Sequence, residues 1–253
     1  MPRFFVQSSD LQEGIVTLTG DDAHHVAYSL RLAAGKHIDV CCDGLVYDCE
    51  LEAFSPDKSH PWVKARVCSV TKADTEPPYQ VVLYQALPKG DKLDIIIQKA
   101  VECGVAQVVP FESSRCIARA KSDAEARKTE RRQRIAEEAA KQCGRGIIPK
   151  VSPTVSFSEM LNEASKADMT LFCYEGEGTS SLPVVLTKAN FQKEKTYSPV
   201  IAVIVGSEGG FSPEEATEAA VRGFSMVGLG RRILRCETAP SFVLACLSYQ
   251  YEL

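Results

Sequence analysis

No run of apolar residues in this sequence comes near the roughly 20 that a membrane-spanning helix needs. The opening residues, Met1-Pro2-Arg3-Phe4-Phe5-Val6, have neither the charged nor the apolar region of a signal peptide. A cytoplasmic protein without a membrane partner is the expectation. The ten cysteines contain no C-x-x-C pair, which removes zinc-finger and dithiol-redox readings. Most lie in apolar runs, as Cys103, Cys173 and Cys246 do, so reduced, buried thiols are expected rather than a disulfide framework. Histidine is scarce as well. Two of the four are the adjacent His24 and His25, and neighbours on a helix point about 100° apart, so they cannot both face one ion. No metal is expected. Two phosphate motifs are missing in turn. Gly206-Ser207-Glu208-Gly209-Gly210 has no Gly-Lys-Ser/Thr, and Gly228-Leu229-Gly230 opens like a dinucleotide fingerprint but puts Ile233 where the third glycine belongs.

Positive charge is not in excess either: the 253 residues carry a net charge of −4. Its distribution matters more. Residues 115–150 hold eleven Lys/Arg against five Asp/Glu, the footprint of a polyanion-binding face or, alternatively, of a solvated helix laced with ion pairs.

What is present divides the chain in two. Residues 1–72 read as a small β-rich unit, with strands at 14–18, 37–42, 45–51 and 62–67, an Asp43-Gly44 hairpin turn, and one helix over Asp21–Arg31. Residues 73–79, ending in Pro77-Pro78-Tyr79, read as a linker. Residues 80–253 then alternate strand and helix. Strands are expected at 81–84, 107–111, 169–174, 200–205 and 224–227. Helices are expected at 91–103, 122–143, 157–165 and 213–223, and residues 176–199 read as polar and irregular with room for one helix. The fold class is therefore α/β, a parallel sheet with helices on both faces, behind a β-rich N-terminal unit. Two glycine turns stand out, Gly206–Gly210 and Leu229–Ala239. Each follows a strand, so both are expected at the carboxyl ends of neighbouring parallel strands, where open α/β sheets bind ligands.

Val205-Gly206-Ser207-Glu208-Gly209-Gly210-Phe211-Ser212-x-x-Glu215, followed by Leu229-Gly230-x-Arg232-Ile233-Leu234-Arg235-x-Glu237-Thr238-Ala239, resembles the signature of the SPOUT methyltransferases, and in detail that of the bacterial 16S rRNA (uracil-N3) methyltransferase E family. Supporting pieces run along the chain, among them Pro2-Arg3-Phe4-Phe5, Leu30-Arg31, Lys99-x-x-Glu102-Cys103-Gly104-Val105, Ser113-x-Arg115 and Gln142-Cys143-Gly144-Arg145. Ser207 departs from the family, whose members usually carry proline there. The resemblance implies a PUA-like RNA-binding barrel at 1–72 and, at 80–253, a domain whose last segment forms a trefoil knot around S-adenosylmethionine. The cofactor would lie against Leu171, Phe172 and Tyr174, against Val205, Gly206, Glu208, Gly209 and Gly210, and against Leu229, Gly230, Ile233, Leu234, Thr238 and Ala239. Arg232 and Arg235, with Arg145 next, are the candidates to stabilise a uracil anion. Glu237 or Glu208 would orient an arginine or take the N3 proton, or Arg235–Glu237 would only tie the segment together. Arg3, Arg31, Arg115, Arg119 and Arg145 are the implied contacts to 16S rRNA within the small ribosomal subunit. A homodimer packed through the last helix, Pro240–Tyr251, is implied too. The competing readings are a SPOUT enzyme acting on tRNA or a ribose hydroxyl, and a catalytically silent RNA-binding assembly protein.

Overall fold

The structure, a computed structural model, describes residues 1–120, 122–188 and 198–253, and their side chains except those of residues 122–124. Lys121 and residues 189–197, which fall within the stretch read as irregular, lie outside the described residues. By internal contact the chain forms two compact units. One is Met1–Glu76 with Ala140–Ile148; the other is Pro77–Ala139 with Pro149–Leu253.

The first unit contains β1 (Arg3–Phe5), β2 (Leu11–Gln12), β3 (Ile15–Thr19), α1 (Gly20–His24), β4 (His37–Cys42), β5 (Leu45–Phe54) and β6 (Trp62–Lys72). The strands make one sheet in the order β1-β4-β5-β6-β3-β2, antiparallel except for β1 on β4. Alternation sends Val16, Leu18, Ile38, Val40, Leu51 and Val63 into a common core with Phe4. Asp43 and Gly44 both take positive φ, 50° and 76°, as a tight hairpin turn matched to strand twist requires. The helix expected over Asp21–Arg31 differs. After α1 the backbone widens into one π turn, His25–Ser29, and Arg31 adopts a left-handed φ of 52°, which ends the helix before it. His24 packs on the Tyr28 ring at 4.9 Å and His25 on Phe4 at 6.2 Å.

Ala140–Ile148 joins this unit through polar contacts. The Arg145 guanidinium pairs with Glu76, whose carboxylate also accepts the Gly146 and Ile147 N–H groups at 2.9 and 3.2 Å. Lys141 meets Asp22 at 2.8 Å, and Arg3 donates to the Gly144 carbonyl.

The second unit contains β7 (Gln80–Ala86), α2 (Lys92–Glu102), β8 (Gln107–Glu112), α3 (Ser122–Cys143, whose last residues join the first unit), β9 (Lys150–Val151) and β10 (Val155–Ser156). It continues with α4 (Phe157–Ala164), β11 (Met169–Cys173), β12 (Ser180–Ser181), α5 (Leu182–Lys188), β13 (Val200–Val205), α6 (Pro213–Val221), β14 (Ser225–Gly228) and α7 (Ala239–Tyr251). Every strand pair in its sheet is parallel, in the order β10-β8-β7-β13-β11-β14-β12, with β9 also on β8. Central strands are buried on both faces, as the continuous run Ile201–Val205 requires. The apolar positions Leu93, Ile96, Ile97, Ala100 and Val101 of α2 all face inward. Helix α6 starts where its capping box predicts, with the Ser212 hydroxyl accepting from the Glu215 N–H at 3.2 Å. Among the described residues no helix is long and apolar enough to cross a membrane.

One expectation is corrected. The strands that precede the two glycine turns, β13 and β14, are parallel but not neighbours. β11 lies between them, pairing Leu171 with Val203 on one side and with Ser225 on the other. Sequence adjacency favours pairing consecutive strands, but here the earlier strand β11 fills the place between them.

Candidate functional site

Because β11 sits between β13 and β14, three strand ends open side by side, and a cavity of about 810 Å³ lies at their carboxyl ends, within the second unit. That size is ordinary for a small-molecule site. The segment after β11 contributes Cys173, Tyr174, Glu175, Gly176 and Thr179; the turn after β13 contributes Val205 to Phe211; the segment after β14 contributes Gly228 to Glu237 and Ala239. Lys92 and Arg115 complete the wall.

Backbone geometry explains why glycine occupies these turns. An added Cβ on Gly206 would lie 3.1 Å from the Gly210 Cα and 3.2 Å from the Phe211 ring, and one on Gly209 would lie 3.1 Å from Arg115 Cβ. Gly230 instead adopts φ 110°, which side-chain-bearing residues avoid, and a Cβ there would meet nothing within 4 Å. The first turn rests on a floor of aromatic rings. Phe211 stands 4.2 Å from Phe172 and lies parallel to Phe111 at 6.3 Å. Gln85, fully buried in β7, donates to the Gly206 carbonyl at 3.1 Å. Ser207, where the related motif carries proline, is buried with its hydroxyl unpartnered among the described residues.

The charged groups form one connected set. The Lys92 ammonium lies 2.8 Å from Glu208 and 3.4 Å from Glu237, and the Lys89 N–H donates to Glu208 at 3.2 Å. The Cys236 thiol donates to Glu237 at 3.2 Å. Burial opposes the charge on Glu208, but hydrogen bonds from Lys92 and from backbone N–H groups hold its carboxyl below the usual range. Glu237 is held low first by its own backbone N–H, then by Cys236 and Lys92. Glu208 in turn raises the Lys92 ammonium. Burial, reinforced by Glu237, pushes the Cys236 thiol up to about 12. Both carboxylates are therefore ionised at neutral pH, and both are weak proton acceptors.

Of the residues read from the sequence, Tyr174, Val205, Gly206, Glu208, Gly209, Gly210, Leu229, Gly230, Arg232, Ile233, Leu234, Arg235, Glu237 and Ala239 line the cavity. Leu171 and Phe172 do not: they are fully buried within β11, which ends beneath the cavity. Thr238 is exposed outside the lining. Arg232 is exposed and makes no side-chain hydrogen bond or ion pair among the described residues. Arg235 is 84% exposed and reaches Glu237 only at 3.9 Å. Arg115, read as an RNA contact, lines the cavity and donates to the Gly209 carbonyl at 3.1 Å. Arg119 bonds Glu112 and the Ser113 carbonyl, both at 3.2 Å, and remains half exposed. In the first unit Arg31 is exposed, whereas Arg3 is committed to Asp39 and Gly144, and Arg145 is buried against Glu76. Arg145 is therefore an internal tie; its guanidinium does not face solvent.

Lys92 was not legible beforehand. It stands in the first turn of an amphipathic helix, and no spacing in the sequence links position 92 to positions 208 and 237. One further cluster has metal-ligand chemistry: His37, Glu50 and Cys68, on the first unit's sheet, have donor atoms within 4.8 Å of one another. Two of its three donors are engaged, His37 with Asp48 at 2.7 Å and Glu50 with Arg66 at 2.5 Å.

Comparison with known proteins agrees with this arrangement. A model of the RNA methyltransferase domain matches residues 75–248. The chain is 33% identical to the ribosomal RNA small subunit methyltransferase E of Bacillus subtilis, over 100% of this chain and 98% of that one. It superposes on a ribosomal RNA small subunit methyltransferase E from Neisseria gonorrhoeae, solved bound to S-adenosylmethionine, with a TM-score of 0.82, 29% identity, and 99% and 98% of the two chains covered. It also superposes on a methyltransferase from Legionella pneumophila, solved with the same cofactor, with a TM-score of 0.83, 28% identity, and coverage of 98% and 97%. An α/β sheet with a cavity at three parallel strand ends, matched along its whole length by such relatives, belongs to the ribosomal RNA small subunit methyltransferase E family.

Proposed function

We propose that this chain transfers the methyl group of S-adenosylmethionine to N3 of a uridine in 16S rRNA. The observation that carries the reading is the cavity at the ends of β11, β13 and β14, with Arg232 and Arg235 exposed on its wall. The residues present fit the cofactor. The unpartnered Ser207 hydroxyl offers a polar contact, Gly230 leaves backbone open to close approach, and Glu175, Glu208 and Glu237 give a cationic sulfonium local counter-charges on a wall that also carries Lys92 and four arginines.

Bound in the cavity, the cofactor would supply an activated methyl group on a positive sulfur, with the neutral thioether as leaving group. The chain's own residues do the rest. The glycine turns let backbone approach the ligand, and the Phe172–Phe211 floor fixes the height of the first turn. Arg232 and Arg235, as exposed cations at the cavity, donate to the uracil oxygens and stabilise the anion left by loss of the N3 proton. Glu237 and Glu208, both held low and bonded to Lys92, orient the wall, and the N3 proton passes to solvent water.

In this reading the first unit is a PUA-like barrel that binds RNA, with Arg31 exposed for phosphate contact, and Arg115 and Arg119 serve the second unit. The last segment of the second unit threads a loop as a trefoil knot. The protein works in the cytoplasm as a homodimer through α7, whose Phe242 and Tyr249 are exposed on a helix whose apolar residues span more than one face. The test is methylation of small ribosomal subunits isolated from cells lacking the enzyme, followed by nucleoside mass spectrometry. N3-methyluridine should appear only with chain and cofactor together. A ribose-methylated product, or no product, would refute the assignment.

A further inference from the structure

The two glycine turns have no sheet ladder in common, because β11 separates β13 from β14. Lys92 reaches both. Its ammonium is 2.8 Å from Glu208 in the first turn and 3.4 Å from Glu237 in the second, and it projects from the first turn of α2, whose apolar face is fully buried and therefore fixed. The Lys89 N–H, just before that helix, adds a second hold on Glu208 at 3.2 Å. Without the ammonium, two carboxylates would face each other across the gap it now fills, and like charges at that range repel appreciably in a half-buried site.

We propose that Lys92 is a positioning residue that clamps the two glycine turns at their working separation, so that affinity for S-adenosylmethionine depends on the bridge itself and not only on the charge of the cavity. This rests on the cofactor reading above. Bridging and charge balance make different predictions. Lys92→Met removes both. Lys92→Arg keeps a bridging cation. The double variant Lys92→Met/Glu237→Gln restores the net charge of the three groups without restoring the bridge.

Calorimetric titration of the full chain with S-adenosylmethionine, and amide hydrogen exchange of the cofactor-free chain, test the clamp together. Lys92→Met should weaken binding roughly tenfold, a usual scale for coupled neighbours. Lys92→Arg should recover most of that loss, and the double variant should remain several-fold weaker than the parent. In the free chain, exchange at 206–210 and 229–237 should quicken in Lys92→Met and in the double variant, and not in Lys92→Arg. Full recovery of affinity by the double variant, or unchanged exchange in Lys92→Met, would overturn the clamp. If the parent chain binds no cofactor yet exchange quickens in Lys92→Met, the clamp stands and the cofactor reading fails.

Discussion

Gly206→Ala is the sharpest test of how the cavity is built. The new methyl group would lie 3.1 Å from the Gly210 Cα, 3.2 Å from the Gly210 carbonyl carbon and 3.2 Å from a Phe211 ring carbon. Two of these neighbours are backbone of the same tight turn. The third belongs to a ring packed at 4.2 Å on fully buried Phe172 and stacked on fully buried Phe111. None can yield without moving the aromatic floor, and Gln85 holds the Gly206 carbonyl from beneath. Overpacking of one methyl group into such a site costs about 1–3 kcal/mol. Because the displaced atoms are the cavity wall, cofactor affinity should fall in parallel. Chemical denaturation at equilibrium gives the stability change and calorimetry the affinity change. A stability loss under about 0.5 kcal/mol, the scale of an ordinary surface substitution, with unchanged affinity would show that the turn has slack and that the close approaches do not determine its shape.

Four other outcomes are expected. Arg235→Ala and Arg232→Ala should each lower kcat by about 10²–10³, the scale for removal of one donor to a developing anion, with cofactor affinity nearly intact; equal loss of both quantities removes the transition-state role. Glu76→Ala removes the carboxylate paired with the buried Arg145 guanidinium and should destabilise the first unit by about 3–5 kcal/mol in denaturation; a change near zero would mean that Ala140–Ile148 is held by something else. Burial opposes ionisation of Glu125, but hydrogen bonds from Thr154 and the charge of Arg132 at 3.2 Å lower its carboxyl all the same. Its stabilisation is thus complete above the unfolded carboxylate value of about 4.3 and disappears as pH falls through the lower folded value, so Glu125→Gln should flatten that part of the stability–pH curve, and an unaltered slope would refute the assignment. Cys68 is exposed, whereas burial pushes Cys41 to about 11 and Cys49 and Cys173 to about 12; a thiol reagent at mildly alkaline pH should label Cys68 well before those three, and mass spectrometry of the labelled peptides checks the order.

The local signals in the sequence read well because each is a short-range physical device. The capping box at Ser212–Glu215 begins α6, the inward face of α2 follows its apolar spacing, and Asp43-Gly44 turns the β4–β5 hairpin. Long-range placement was not legible. Nothing in periodicity says that β11 separates β13 from β14, since parallel buried strands look alike whichever neighbour they take. Nothing in composition says that Ala140–Ile148 joins the first unit, because its polar ties run to Glu76, Asp22 and Arg3, all far away in the sequence. Position 145 showed its charge but not its burial, and the resemblance together with that charge suggested a phosphate contact. The glycine turns were visible in sequence because close backbone approach restricts residue choice at the position itself.

The place of β11 between β13 and β14 also sets an order of events. A strand made early must wait for partners made later on both its edges, with α5 and α6 formed in between. Pairings of this kind join residues far apart in sequence, and such non-local closure is what slows folding. The cavity needs all three strand ends, so it is a product of the last of these closures. During refolding, secondary structure and the buried face of α2 should therefore appear well before ligand binding does. A lag between the recovery of helical signal and the recovery of cofactor binding is the kinetic mark of that topology, and the step it times is the docking of β14 against β11.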